Sequence, residues 1–248
     1  MASPYPEFSS GTVAPVECLK TGWATIKDRY WLFLGITLVA MLIGGAVPVI
    51  LIGPMMCGLY LCLLAKMRGE QPQFELLFKG FDYFVPGLIA AAIQVVPALV
   101  LILPAYTIFL VFALSTLPGH DPYAQSQSPP AIFFVVLVLF IIFAVAVALV
   151  LNVLFLLAYP LIVDRKLSGW DAIKTSARAA MKNFGGLLGL VLLNAGLAIL
   201  GVIACYVGII FVLPIAFASY AAAYRQIFPD IPQTLEPAPP PPPGSWAA

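Results

Sequence analysis

Four stretches of the sequence contain no Asp, Glu, Lys or Arg: Trp31 to Ala65, Leu88 to Leu117, Ala131 to Val163 and Phe184 to Tyr224. A run this long and this apolar has lipid as its solvent. Lipid offers no water to a stray backbone N–H or C=O, so only helices and closed barrels span it. Barrels are built from short strands of alternating polarity, whereas these runs are continuous and rich in Leu, Ala and Val. The chain is therefore expected to be all-α, a polytopic helical membrane protein. Composition agrees: 62% of the 248 residues are hydrophobic and 9% are charged, against roughly a quarter charged in soluble domains. The apolar runs leave no room for a separate soluble domain.

Proline and glycine subdivide the runs. Gly44-Gly45, Pro48 and Gly53-Pro54 break the first into a hairpin. A span takes about 20 residues, so this hairpin either crosses with two short helices or dips into the bilayer and returns. The second run reads as one long helix with kinks expected at Pro97 and Pro104. A polar, proline-rich loop, Pro118 to Pro130, separates it from the third run, which has Pro160 near its end. The fourth run is long enough for two spans turning near Gly201 or Gly208. The expected spans are six, near 31–48, 51–65, 88–115, 131–160, 184–202 and 207–224, grouped as three hairpins.

An amphipathic helix lying at the membrane interface is expected before each hairpin. Val16, Leu19, Trp23, Ile26 and Tyr30 recur at helical spacing, with Lys20 and Lys27 off that face. Within 73–84, Phe74, Leu77, Phe78 and Phe81 form an apolar face, and Glu75 precedes Lys79 by four residues, the favourable order for a helical pair. Ser168, followed three residues later by Asp171, fits a helix N-terminus. Beyond it Trp170, Ile173, Ala177, Met181 and Phe184 share a face, while Lys174, Arg178 and Lys182 form a basic stripe. Residues 1–12 are expected to be disordered, 13–225 to form one transmembrane domain, and 226–248 to be a proline-rich cytoplasmic tail with an extended run at Pro239 to Pro243.

The basic residues orient the chain. Lys20, Lys27, Arg29, Lys66, Arg68, Lys79, Arg165, Lys166, Lys174, Arg178, Lys182 and Arg225 are all twelve of the Lys and Arg residues. Every one falls before span one, between spans two and three, between four and five, or after six. Basic residues are retained on the cytoplasmic side, which places both termini inside and the 118–130 loop outside. No cleavable signal peptide is visible in Met1 to Lys20.

Gly22-Trp23-Ala24-Thr25-Ile26-Lys27 reappears as Gly169-Trp170-Asp171-Ala172-Ile173-Lys174, identical at four of six positions. Each copy opens a hairpin whose second helix carries a proline six residues before a tyrosine, Pro54 with Tyr60 and Pro214 with Tyr220. The halves 16–66 and 168–225 thus read as a parallel repeat, although the tryptophan-to-proline spacing differs between them.

The stretch Pro160 to Ser168, then Trp170 to Ser176 and Asn183-Phe184, resembles the DUF975/YciC-like group of bacterial multi-pass membrane proteins. It is also similar to the membrane domain attached to some glycerophosphodiester phosphodiesterases. The resemblance is best over 160–225. It implies a polytopic helical fold in a bacterial cytoplasmic (inner) membrane and supplies no catalytic signature; the soluble phosphodiesterase domain is absent here.

Chemistry-bearing residues are few. Cys18, Cys57, Cys62 and Cys205 form no CxxC pair and read as small buried hydrophobes. The single histidine, His120, lies beside Asp121 in the outer loop, and one histidine cannot make a multi-histidine metal site. No acid sits mid-span, although proton or ion coupling usually needs an ionisable group there. The strong polar side chains within spans are Gln94, Asn152 and Asn194. They read as interhelical hydrogen bonds or as a polar pathway. Lys174, Arg178 and Lys182 read as interfacial anchors or as a site for anionic lipid headgroups.

The chain is therefore expected to be no enzyme, to carry no cofactor and to bind no nucleic acid. A scaffold or accessory subunit of a larger membrane assembly is the first expectation. Its partners would be membrane lipids, anionic ones at the basic stripe, and other membrane protein subunits. The alternative is a permease or channel for a small neutral or lipidic solute, with a cavity near Gln94, Asn152 and Asn194.

Overall fold

The computed structural model describes residues 8–11, 13–47, 49–115, 131–203 and 208–229. His120 with its loop, and the proline run at 239–243, lie outside the described residues. Among the described residues all regular structure is helical. Helix α1 (Pro15–Ile26) passes through a 3-10 turn (Lys27–Arg29) into α2 (Tyr30–Ala46), and α3 (Ile52–Met67) returns. A 3-10 segment (Phe74–Tyr83) leads into α4 (Phe84–Ser115). The third run divides into α5 (Ala131–Phe155) and α6 (Ala158–Arg165). Then follow α7 (Gly169–Lys182), α8 (Phe184–Ile203) and α9 (Gly208–Ile227).

Five helical segments are long and apolar enough to cross a membrane: Pro15–Ala46, Phe74–Pro97, Leu137–Arg165, Phe184–Ile203 and Gly208–Ile227. The protein is thus an all-helical, membrane-embedded, multi-helix chain. At 1.5 Å per residue α3 is about 24 Å long, short of the roughly 30 Å hydrocarbon core. Pro97 and Pro104 both sit inside α4.

The segments before α2, α4 and α8 pack through glycine rather than through their large apolar residues. A Cβ on Gly22 of α1 would meet the Ser219 nitrogen of α9 at 2.6 Å. A Cβ on Gly80 would collide with the Pro54 carbonyl of α3, and one on Gly169 with the Pro86 carbonyl of α4. Trp23, Phe78, Phe81, Trp170 and Met181, taken from the sequence as apolar faces, are exposed, whereas Ile26, Leu77 and Ile173 are buried. Large apolar side chains gain nothing by leaving lipid for protein. Close backbone approach at small residues does gain contact.

The 73–84 segment also differs in kind from an α-helix. With three residues per turn, positions three apart align, which puts Leu77 and Gly80 together against Gly58 of α3. The same geometry separates Glu75 from Lys79, and no ion pair joins them among the described residues.

Two ends of the helix bundle contrast. At one end Arg68, Arg165 and Arg225 converge on Asp164, and Lys66 pairs with Asp28. We call this the basic end. Here α3 stops at Gly69, whose φ of 82° suits the left-handed closing turn. The Gly69 and Glu70 amides then donate to Lys66 and Ala65 carbonyls, both at 3.0 Å. The expected disordered N-terminus is tied down here in its described part. The Ser9 amide donates to the Ile227 carbonyl at 2.9 Å, and the Gly11 amide to Asn183 Oδ1 at 2.7 Å. The start of the expected tail is also packed. Phe228 is fully buried and stacks on Tyr224, and Gln226 Oε1 accepts from the Ala14 amide and from Cys18 Sγ. Away from this end packing thins. Among the described side chains none is buried between Ala91 of α4 and Val153 of α5.

Candidate functional site

The third run breaks where its sequence dictates. Pro160 has no N–H to give the Leu156 carbonyl, and its ring crowds the preceding turn. Leu156 and Leu157 therefore form a turn between α5 and α6. The exposed backbone groups find side-chain partners from other helices. Ser176 Oγ of α7 donates to the Leu154 carbonyl at 2.6 Å and accepts from the Leu157 amide at 3.2 Å. Gln94 Nε2 of α4 donates to the Phe155 carbonyl at 3.2 Å, and its Oε1 accepts from the Tyr159 hydroxyl at 3.2 Å. Non-helical backbone within apolar surroundings is stable only when buried in protein or lining a cavity.

Such a cavity lies beside the break. Its volume is about 320 Å³, at the lower end of small-molecule sites. Phe155 and Leu156 of the broken turn line it. Gln94 and Asn152 reach it from α4 and α5, and Phe217 completes an aromatic wall from α9. Three tyrosines also line it: Tyr60 of α3, Tyr159 of α6 and Tyr220 of α9. Phe217 makes edge contacts with Tyr60 and Tyr220, with ring centroids 6.4 and 6.5 Å apart.

Of the intramembrane polar residues singled out from sequence, Gln94 and Asn152 meet at this cavity. Asn194 does not line it. It is 4% exposed, and its Nδ2 donates to Ser219 Oγ at 2.9 Å, linking α8 to α9 one residue before Tyr220. Its role here is the interhelical bond. Sequence reasoning missed the tyrosines as site residues, although Tyr60 and Tyr220 end the proline–tyrosine spacings on which the expected repeat rests. The signal was present and was read as architecture.

The basic stripe occupies the outer face of α7. Arg178 and Lys182 are exposed and Lys174 is half-buried, beside exposed Trp170 and Met181. Lys174 Nζ stands 5.0 Å from the Trp170 ring centre, and Lys182 Nζ 5.6 Å from that of Phe8. The inner face is small and closely packed, with Ala172, Ser176, Ala179 and Ala180 buried. Ser168 caps the helix as its spacing predicts, accepting from the Asp171 amide at 3.2 Å.

A second polar cluster escaped the sequence reading. The Asp164 side chain is 5% exposed and takes a 2.6 Å hydrogen bond from the Tyr224 hydroxyl. It pairs with Arg68, with Arg225 at 3.4 Å and with Arg165 at 3.6 Å. Arg165 also donates to the Pro229 carbonyl at 3.0 Å. One carboxylate thus ties the end of α3 to α6 and α9. Asp164 lies five residues past Tyr159, and Arg225 five past Tyr220, so the cluster closes the basic end about 7 Å from the cavity tyrosines along each helix. No family model, curated protein or solved structure matches the chain.

Proposed function

We propose that the chain is a non-enzymatic, six-span membrane protein that admits a small neutral or lipidic solute to the cavity beside the α5–α6 break. The observation that carries this reading is a helix unwound at Pro160 whose turn lines a cavity together with tyrosine and carboxamide side chains. Transporters commonly build solute sites at interrupted helices between repeats. Among the described residues no Asp, Glu, Lys, Arg or His lines the cavity, which favours an uncharged solute over an ion. In this reading α3 crosses as a short span. Both termini lie in the cytoplasm of a bacterium, as the distribution of basic residues favours, and the resemblance of 160–225 to bacterial multi-pass proteins is in keeping with it. Lys174, Arg178 and Lys182, set among Trp170 and Met181, would contact anionic headgroups.

The test is solute entry into proteoliposomes, followed by light scattering for a panel of small neutral solutes. The proposal expects faster entry of at least one solute than into protein-free vesicles, and loss of that advantage in Ala148→Trp, which fills the cavity. Equal rates for wild-type, Ala148→Trp and protein-free vesicles would reject it.

A second reading, a scaffold or accessory subunit, is favoured by the outer parts of α4 and α5. Val100, Leu103, Leu139 and Ile142 are exposed, and no other described residue covers them. Purification from mild detergent as a monomer with no co-purifying protein would remove that support.

A further inference from the structure

The polar groups of the cavity are not equally committed. Tyr159 donates its hydroxyl proton to Gln94 Oε1, and Gln94 spends its amide on the Phe155 carbonyl. Both serve the broken helix. Tyr60 differs. It is 2% exposed and lines the cavity, and its hydroxyl has no hydrogen-bond partner among the described residues. The strongest tendency of a phenol O–H facing a largely apolar space is to donate. Asn152, an exposed residue of α5, borders the same space and also has no hydrogen-bond partner among the described residues. The walls around them are aromatic and aliphatic, from Met56, Phe155 and Phe217.

We infer that the solute carries a hydrogen-bond acceptor, such as a carbonyl or ether oxygen, on a compact apolar body, and that the Tyr60 hydroxyl is the donor that selects it. This rests on the proposed solute cavity and goes beyond it by naming the solute class and the selecting atom. Tyr60 is well placed for that role because its ring is fixed. Gly58, two residues before it, is pressed against the Leu77 carbonyl, and the Phe217 ring packs perpendicular to that of Tyr60. A rigid donor in an apolar wall discriminates more strongly than a mobile one, because an analogue lacking the acceptor leaves it unpaired.

The test uses two photoreactive probes with the full chain in lipid nanodiscs. One is a trifluoromethyl phenyl diazirine; the other is the same diazirine carrying a para acetyl group. Labelled residues are located by peptide mass spectrometry. In wild type the acetyl probe should label the cavity residues about fivefold more than the plain probe, the equivalent of one net hydrogen bond. In Tyr60→Phe the two probes should label equally. That variant should melt no lower than wild type, since its lost hydroxyl had no partner. Tyr159→Phe should melt lower yet keep the acetyl preference. Equal labelling by both probes in wild type, or a preference that survives Tyr60→Phe, overturns the inference and leaves the cavity reading standing. Labelling confined to lipid-facing residues of α5, with none in the cavity, overturns both.

Discussion

The basic end and the far end of the same helices are built on different principles. At the basic end helices touch backbone to backbone at Gly22, Gly58, Gly80 and Gly169, and Asp164 binds three of them through charge. At the far end α4 and α5 expose Leu103, Phe109, Leu139 and Ile142, and no described side chain between Ala91 and Val153 is buried. The basic end supplies its own neighbours; the far end takes lipid or another chain for them. Lipid is as apolar as leucine, so the far end needs no internal core to be satisfied. The cavity lies between these regimes, where the broken α5–α6 helix marks the edge of close packing. A space at that boundary can stay open because the basic end holds the fold without filling it.

Substitutions can break or sharpen this contrast, and they rank by how firmly each region is held. Asp164→Ala removes the carboxylate that pairs with Arg68, Arg165 and Arg225 and accepts from the Tyr224 hydroxyl. Breaking a buried ion pair costs about 3–5 kcal/mol, so thermal denaturation in detergent should show the largest drop of the series. Gly58→Val would drive a side chain into the Leu77 carbonyl, and overpacking of this kind costs about 1–3 kcal/mol. Gly196→Ala in α8 should do the opposite, because nothing lies within 4 Å of its added Cβ. Relieving a glycine inside a helix is worth roughly 0.5–1 kcal/mol, seen as a higher melting temperature. Leu139→Ala with Ile142→Ala, on the exposed face of α5, should change stability least, by less than about 0.5 kcal/mol, and so shift the melting temperature least. A loss from the α5 pair as large as that from Gly58→Val would erase the distinction between the two ends.

Much of this was legible in the sequence, for physical reasons. Uncharged runs longer than a soluble helix dictate helices in lipid, and Ser168 with Asp171 gave the start of α7. Gln94 and Asn152 were identifiable as polar residues within spans, and they meet at the cavity. The packing faces were not legible, because hydrophobicity does not tell protein from lipid. Trp23 and Trp170 signal an apolar face, while the residues that dock are Gly22 and Gly169 beside them. The break after α5 required knowing that Ser176 and Gln94, distant in sequence, come to Pro160's freed turn. The Asp164 cluster was hidden because its arginines sit in three separate segments, each accounted for by topology alone.

Distances between paired spin labels in lipid nanodiscs would test the central contrast most directly. Labels at Lys66 and Lys166 report the basic end, and labels at Leu110 and Val138 report the far end, in a chain whose four cysteines are replaced by alanine. The account predicts a narrow distance distribution for the first pair and a broad one for the second, with Asp164→Ala broadening the first. Equally narrow distributions at both ends, unchanged by Asp164→Ala, would contradict it.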